Sequence, residues 1–531
     1  MKTRLLFLSL FSLQLSVSAA AAVRPASLFQ DHAVLQADMK IPVWGQAGAG
    51  ERVAVSFAGQ RLETTADAGG GWRVDLDPVA AGKSGDLVIG EHVFTDVVAG
   101  EVWFVGGQSN AALSLARAAP DAAREIASAG FPQIRVWTSG YAVARTPQAF
   151  AKGGDWKLCS PETAGAFTGM GYFFAKELQA ALGVPVGIIS CNKGGAPVGS
   201  MMDEALFDQN PGAPEAEAYY DKVLRRSKKN QHMRKGVLWN GMVAPLAPFA
   251  LRGVLWNQGE ADVRVARAYE SLFAGMVACW RAAWGRVDLP FYVVQLASIS
   301  DAGSLEPPES DNWPLLREAQ ANTRKIPGVR VSVGVDIGSL SDNAQKARHP
   351  ANKRELGRRL ALLALGGAYG KPGLCASPFF EAATVANGKI ICRLDSAAKG
   401  LRTSGNLPPG GFEIAGADGK FVPAAASIDG ETLVVFSPKV PAPAAVRYAW
   451  SNTCSGANIV NAAGLPLAPF HAQINRETPN KNKPLNSTAK DTKDAKNGNM
   501  KLEKQQHSEL SSFAPFASFA VEKPNQKLNH R

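Results

Sequence analysis

Glu101-Val102-Trp103-Phe104-Val105-Gly106-Gly107-Gln108-Ser109-Asn110 decides the reading of this chain: an apolar run stops at two glycines and then presents a serine between two amides. The run has strand composition, and the glycines permit a sharp turn and close approach of the backbone to a ligand. A serine exposed on a strand-to-loop turn, backed by glycines, is how a hydrolase presents a nucleophile. The reading then needs a base, an oxyanion site and a sheet to carry all three.

Working outward, residues 101–370 alternate strand candidates such as Val184–Ile189 and Gly253–Trp256 with helical stretches over Tyr172–Leu182, Tyr269–Trp284 and Lys353–Leu365. Apolar residues at helical spacing between apolar strands predict an α/β domain, a three-layer parallel sheet with helices on both faces. Active sites in that architecture lie beyond the carboxyl ends of the strands, where Ser109 falls. Residues 23–100 are short alternating stretches between glycine turns, among them Lys40–Gly45, Arg52–Phe57 and Gly69–Leu76, and predict a small β-sandwich. Residues 371–475, with Lys389–Leu394, Thr432–Phe436 and Ala445–Trp450, predict a second β-domain. Residues 476–531 are polar and repetitive and read as a linker or disordered tail.

Residues 1–22 begin with Lys2 and Arg4, continue through the apolar run Leu5–Val17 and end in Ser18-Ala19-Ala20-Ala21-Ala22, the layout of a secretory signal peptide. The chain is therefore expected to be exported, periplasmic or extracellular. No later run has the ~20 apolar residues a membrane helix needs, so no stable membrane insertion is expected. The net charge of +11 lies roughly half in the tail, which removes the case for a nucleic-acid partner. Cys159, Cys191, Cys279, Cys375, Cys392 and Cys454 are scattered, with pairing among the last three left open. With no CxxC pair or HExxH helix, no metal site and no cofactor are expected.

A serine needs a neutral imidazole to take its proton. Of seven histidines, His507 and His530 lie in the tail, His32 and His92 in the first β-domain, and His471 in the second. His232 stands on a polar stretch, which leaves His349, in the loop before the last helix of the α/β region, as the candidate base. Two loops could receive the oxyanion: Cys191-Asn192-Lys193-Gly194-Gly195-Ala196 and Trp256-Asn257-Gln258-Gly259-Glu260, each following a strand.

Gly107-Gln108-Ser109-Asn110, Gly194-Gly195, Gln258-Gly259-Glu260 and His349-Pro350 stand in the order of the sialate O-acetylesterase family, a branch of the SGNH hydrolases, which the chain resembles from about Phe29 to Phe470. Val34-Leu35-Gln36, Trp239-Asn240-Gly241-Met242 and Arg317-Glu318-Ala319-Gln320 extend the likeness. The resemblance implies removal of O-acetyl groups from sugars, sialic acid first among them, through an acyl-serine. Ser109 would be the nucleophile and His349 the base, with the Ser109 amide, Gly194, Gly195 and Gln258 around the oxyanion. The family commonly places an acid three residues before the histidine, but here Lys346 stands there and Arg348 is adjacent. A cation disfavours imidazolium. Asp342, Glu260 or a Ser-His dyad are the alternatives, with Asp336 read as ending its strand. Lys346 and Arg348 could meet an anionic sugar carboxylate instead. Competing functional readings are an acetylesterase of plant polysaccharides and a carbohydrate-binding, inactive hydrolase scaffold.

Overall fold

The apolar run around Trp103 is the second half of a longer strand, β1 (His92–Gly107), in a computed structural model that describes residues 22–474 apart from 228, 305–309, 374–375 and 396–399. The first five positions of β1 are partly or fully exposed, and every residue from Val97 onward is buried. One-sided burial followed by burial on both faces marks a strand that passes from an open sheet into a covered one. Its first half pairs antiparallel with Ser84–Ile89, and Val34–Gln36 lies parallel to its middle. Its second half is the centre of a seven-strand run.

The other strands of that run are β2 (Phe131–Thr138), β3 (Lys157–Cys159), β4 (Val186–Asn192), β5 (Gly253–Asn257), β6 (Phe291–Val294) and β7 (Val329–Ser332). Their order is β3-β2-β4-β1-β5-β6-β7, with every pair parallel except the β3 edge. Alternating residues of β1 face opposite ways. Trp103 meets Phe174 of α2 (Gly169–Leu182) at 4.9 Å between ring centroids, while Phe104 meets Trp280 of α3 (Tyr269–Trp284) at the same distance. Two buried apolar clusters result, one containing Val102 and Phe104, the other Trp103 and Val105. Each fully buried large side chain stabilises the fold by about 1.5–3 kcal/mol. Helix α2 starts three residues before its apolar periodicity does, because Thr168 caps it by accepting from the Gly171 amide. It ends at Gly183, whose φ of +71° is left-handed.

Upstream of β1, Ile41–Gln46 pairs with Gly71–Leu76, and Arg52–Phe57 with Gln60–Thr65. Downstream, two four-stranded antiparallel sheets form around Lys389–Asp395 and Ala445–Tyr448. The molecule is thus a mixed α/β protein with several sheets. Among the described cysteines, Cys159, Cys191, Cys279, Cys392 and Cys454 are buried and free, so Cys392 and Cys454 do not pair; Cys375 lies outside the described residues. So do the signal-like segment through Ala21 and the tail from residue 475. No helix of the described residues is long and apolar enough to cross a membrane.

Arg317, wholly buried in α4 (Asn312–Asn322), joins the downstream sheets to the central one. It donates to the carbonyls of Leu296 and Ala297 after β6 and of Ser451 and Asn452 after Ala445–Tyr448, at 2.6–2.9 Å. Replacing it strands buried carbonyls. Arg317→Met is expected to cost about 3 kcal/mol, read as a lower urea midpoint at unchanged slope.

Candidate active site

The strand register brings the three loops together. Gly107, the last residue of β1, pairs with Asn192 of β4 on one side and Asn257 of β5 on the other, so all three chains leave the sheet at one level. Gly107 has φ +132°, and a Cβ there would stand 2.1 Å from the Asn257 carbonyl oxygen, which only glycine avoids. The Gln108 amide donates to that same oxygen at 3.1 Å. Gln108 Oε1 accepts from the amides of Gly259 and Ala261 at 3.3 and 3.2 Å. The turn before Ser109 is thereby fastened to the loop after β5, and Ser109 begins the short helix α1 (Ser109–Ala112).

On the other side Lys193 donates to the Gly107 carbonyl at 3.1 Å, and the turn Lys193–Ala196 closes at 3.0 Å with Gly195 at φ +73°. Gly194 is close enough that a Cβ on it would lie 3.7 Å from that of Ser109. Among the described residues, the amide N–H groups of Ser109, Gly194 and Gly195 donate to no protein acceptor. Unengaged donors beside a nucleophile are what an oxyanion site requires.

His349 follows α5 (Ala344–Arg348), a helix capped by the Asn343 side chain. Its Nδ1 lies 3.1 Å from the Gln345 carbonyl. A carbonyl only accepts, so Nδ1 carries the hydrogen and Nε2 is left as an acceptor, the tautomer of a general base. Burial holds the imidazole below its ordinary pKa; the Gln345 carbonyl opposes this, and the charges of Lys353, Arg117 and Arg348 add to it. The ring is therefore neutral at neutral pH. Ser109 and His349 line one cavity of about 240 Å³, with Tyr219, Val223, Met233 and Trp313 as its apolar wall and Arg264 and Arg348 as its cations.

Neither candidate acid reaches the ring. Asp342 is exposed ahead of the α5 cap and does not line the cavity. Glu260 lines it, but its Oε1 accepts from Asn110 Nδ2 at 2.5 Å, and burial raises its pKa. Among the described residues the hydrogen-bond partner of the His349 ring is the Gln345 carbonyl. Lys346, at the family's acid position, is exposed and outside the cavity. Asp336 is held by both terminal nitrogens of Arg359 at 2.7 and 2.6 Å, a structural contact as expected.

Gln258 requires a correction. It is 1% exposed, does not line the cavity, and its amide donates to the Ala196 carbonyl at 3.1 Å and to Asp262 Oδ2 at 2.6 Å. With both hydrogens committed it cannot also donate to an oxyanion, and it braces the glycine loop from behind. Asp262, which also accepts from the Val198 amide and the Tyr220 hydroxyl, anchors this brace, and burial pushes its pKa up to about 6. The set-aside His232 lies against the same loop, its Nε2 3.3 Å from where a Gly195 Cβ would be; burial and Lys193 hold it below the ordinary histidine pKa. The sequence signals missed Asn110, which contacts both flanking loops and is taken up below.

Two expectations follow from this geometry. Because a main-chain oxygen holds His349, Gln345→Ala and Asp342→Asn are each expected to keep kcat within about twofold of the parent in a steady-state assay. Because His349 must be neutral to act and its pKa is lowered from 6.5, kcat/KM should rise with pH through a half-maximum below 6.5, read from a pH profile.

A serine-bearing turn, a neutral imidazole and unengaged amides at the mouth of a parallel sheet are the equipment of an ester hydrolase. The family described as carbohydrate esterase, sialic acid-specific acetylesterase, matches residues 99–365, half the chain. The chain belongs to this family and is a carboxylic ester hydrolase. The sialate O-acetylesterases of Homo sapiens and Pongo abelii are each 26% identical to it, over 67% of this chain and 73% of theirs. A crystal structure of a carbohydrate acetylesterase from Xanthomonas citri is 38% identical, with a TM-score of 0.77, and covers 85% of this chain and 100% of its own.

Proposed function

We propose that the protein is an exported sugar O-acetylesterase working through an acyl-serine, with O-acetylated sialic acid as its substrate, on an SGNH-type three-layer domain flanked by β-sandwich-like regions. The observation that carries this is the shared cavity of Ser109 and His349, whose Nδ1–H is held by Gln345. His349 Nε2 takes the proton as Ser109 Oγ attacks the acetyl carbonyl. The amides of Ser109, Gly194 and Gly195 receive the charge on the carbonyl oxygen, and the imidazolium returns its proton to the departing sugar hydroxyl. Water, deprotonated by the same Nε2, releases acetate and restores the serine. With no carboxylate at the ring among the described residues, stabilisation of the imidazolium rests on the carbonyl dipole, so the amides carry more of the barrier reduction.

Arg348 supports the sialic acid reading. Its Nε donates to the Gly303 carbonyl at 2.7 Å, and its terminal nitrogens meet no acceptor among the described residues while the residue lines the cavity. A guanidinium so held offers a fork to a carboxylate. Arg348→Gln is expected to raise KM about tenfold for acetylated sialic acid and leave acetylated xylo-oligomers, which carry no carboxylate, unchanged. An equal effect on both, or a parent enzyme faster on acetylated xylan or pectin oligomers, turns the reading to plant polysaccharide. Mass spectrometry of acid-quenched enzyme should find the acetyl group on the Ser109 peptide; turnover without it overturns the acyl-serine.

A further inference from the structure

Asn110 follows the serine in the chain, is 6% exposed, and has both polar atoms of its side chain engaged. Its Nδ2 donates to Glu260 Oε1 at 2.5 Å and to the Arg348 carbonyl at 2.9 Å, and its Oδ1 accepts from Lys353 Nζ at 2.8 Å. The Arg348 carbonyl belongs to the peptide that enters His349. One side chain therefore joins the serine's turn to the histidine's loop across 238 positions of sequence.

An asparagine amide can be turned over, and the surroundings of Asn110 permit only one face. Turned, its N–H groups would point at the Lys353 ammonium and its oxygen at the Glu260 carboxylate and the Arg348 carbonyl, three unfavourable contacts in place of three hydrogen bonds. Lys353 is an unlikely residue at its position on other grounds. It is the first residue of α6 (Lys353–Gly367), where the helix dipole disfavours a cation, and it is 3% exposed. Burial pushes its pKa down to about 8, and the charge of Glu260 opposes that. Glu260 keeps its second oxygen buried and without a hydrogen-bond partner among the described residues. A buried cation and carboxylate about one amide are costly to stability, and such arrangements gather where a site must be held in one geometry.

We infer that Lys353 is a positioning residue: its ammonium fixes the Asn110 amide in the one orientation that grips the Arg348 carbonyl, and so holds the His349 ring toward Ser109. In a site whose histidine meets no carboxylate among the described residues, this clamp supplies the placement that the acid would otherwise give. Glu260, the sequence candidate for that acid, acts one step removed, on Asn110. The inference rests on the Ser109–His349 reading above.

The test uses the full chain, with active sites counted by a fluorophosphonate that labels Ser109. Lys353→Met is expected to lower kcat per titrated site by about 10- to 100-fold with KM changed by less than about threefold, the size expected of a slightly misplaced catalytic group. It should also lower Tm, because Glu260 is left as an unpaired buried charge. Lys353→Met/Glu260→Gln removes both charges, so it should recover Tm yet keep the low kcat per site; it also carries the test if the single variant does not fold. The inference is overturned if either folded variant keeps the parent's kcat per site, or if only KM moves. Failure of the underlying reading looks different, since the parent enzyme itself would then take up no label at Ser109.

Discussion

Ser109→Ala is expected to lower kcat on an aryl acetate by about 10⁴-fold or more, with Tm unchanged, because it removes the bond-forming atom from a turn whose backbone, Gln108 and Asn110 contacts do not use that atom. His349→Ala should fall nearly as far. The double variant should be no worse than the worse single one, since nucleophile and base act as a unit. Burst release of the aryl alcohol measures this directly. A Ser109→Ala protein that keeps its burst would remove Ser109 from the mechanism. A parent protein as inert as both variants, yet binding acetylated glycans, would mark a sugar-binding scaffold.

Gly107→Ala should damage both stability and rate. The methyl group would stand 2.1 Å from the Asn257 carbonyl oxygen, at a φ that alanine rarely adopts. Strain and overpacking together put the cost at about 3–5 kcal/mol. Relief requires β1 and β5 to part at the place where Gln108 grips Asn257, which moves the serine away from its amides. In the fraction that folds, a fall in kcat of about 100-fold is expected, because small misplacements of a nucleophile are amplified in the rate. Urea unfolding and site-titrated kcat measure the two effects. A variant that loses stability but not kcat per site would show that the turn is set without β5.

Much of this arrangement was legible beforehand because it is local. Helix α3 coincides with the apolar periodicity of Tyr269–Trp284, and the strands Gly253–Asn257, Lys389–Asp395 and Thr432–Phe436 fall within a residue or so of their alternating or apolar runs. Ser109, Gly195 and His349 stand out because glycines and a scarce residue type mark them, and the structure gathers them about one cavity. What could not be read is what depends on partners far away in sequence. Gln258 looks like an oxyanion donor beside Gly259, but Asp262 and Ala196 take its hydrogens. Asp342 looks near enough to His349 in sequence, but the α5 helix between them, capped by Asn343, leaves Asp342 exposed. Lys353 reads as an ordinary charge at the head of a helix, and only tertiary structure places it against Asn110. The change of composition near Gly100 suggests a domain edge, whereas the backbone continues through it as one strand.

That continuity has a consequence for anyone who would shorten or recombine this enzyme. β1 is 16 residues long, roughly 50 Å of extended chain, and the end that carries the serine is the far end of a beam whose root is woven between Ser84–Ile89 and Val34–Gln36. A cut at residue 100 would not release a self-sufficient catalytic unit. It would start the central strand of the sheet at Glu101, without the segment through which Ser84–Ile89 and Val34–Gln36 hold it and without Gln36, which accepts from the Val102 amide and donates to Glu101. The leading β-region is better regarded as the foundation of the active site than as an attachment to it, and grafted modules should be joined elsewhere.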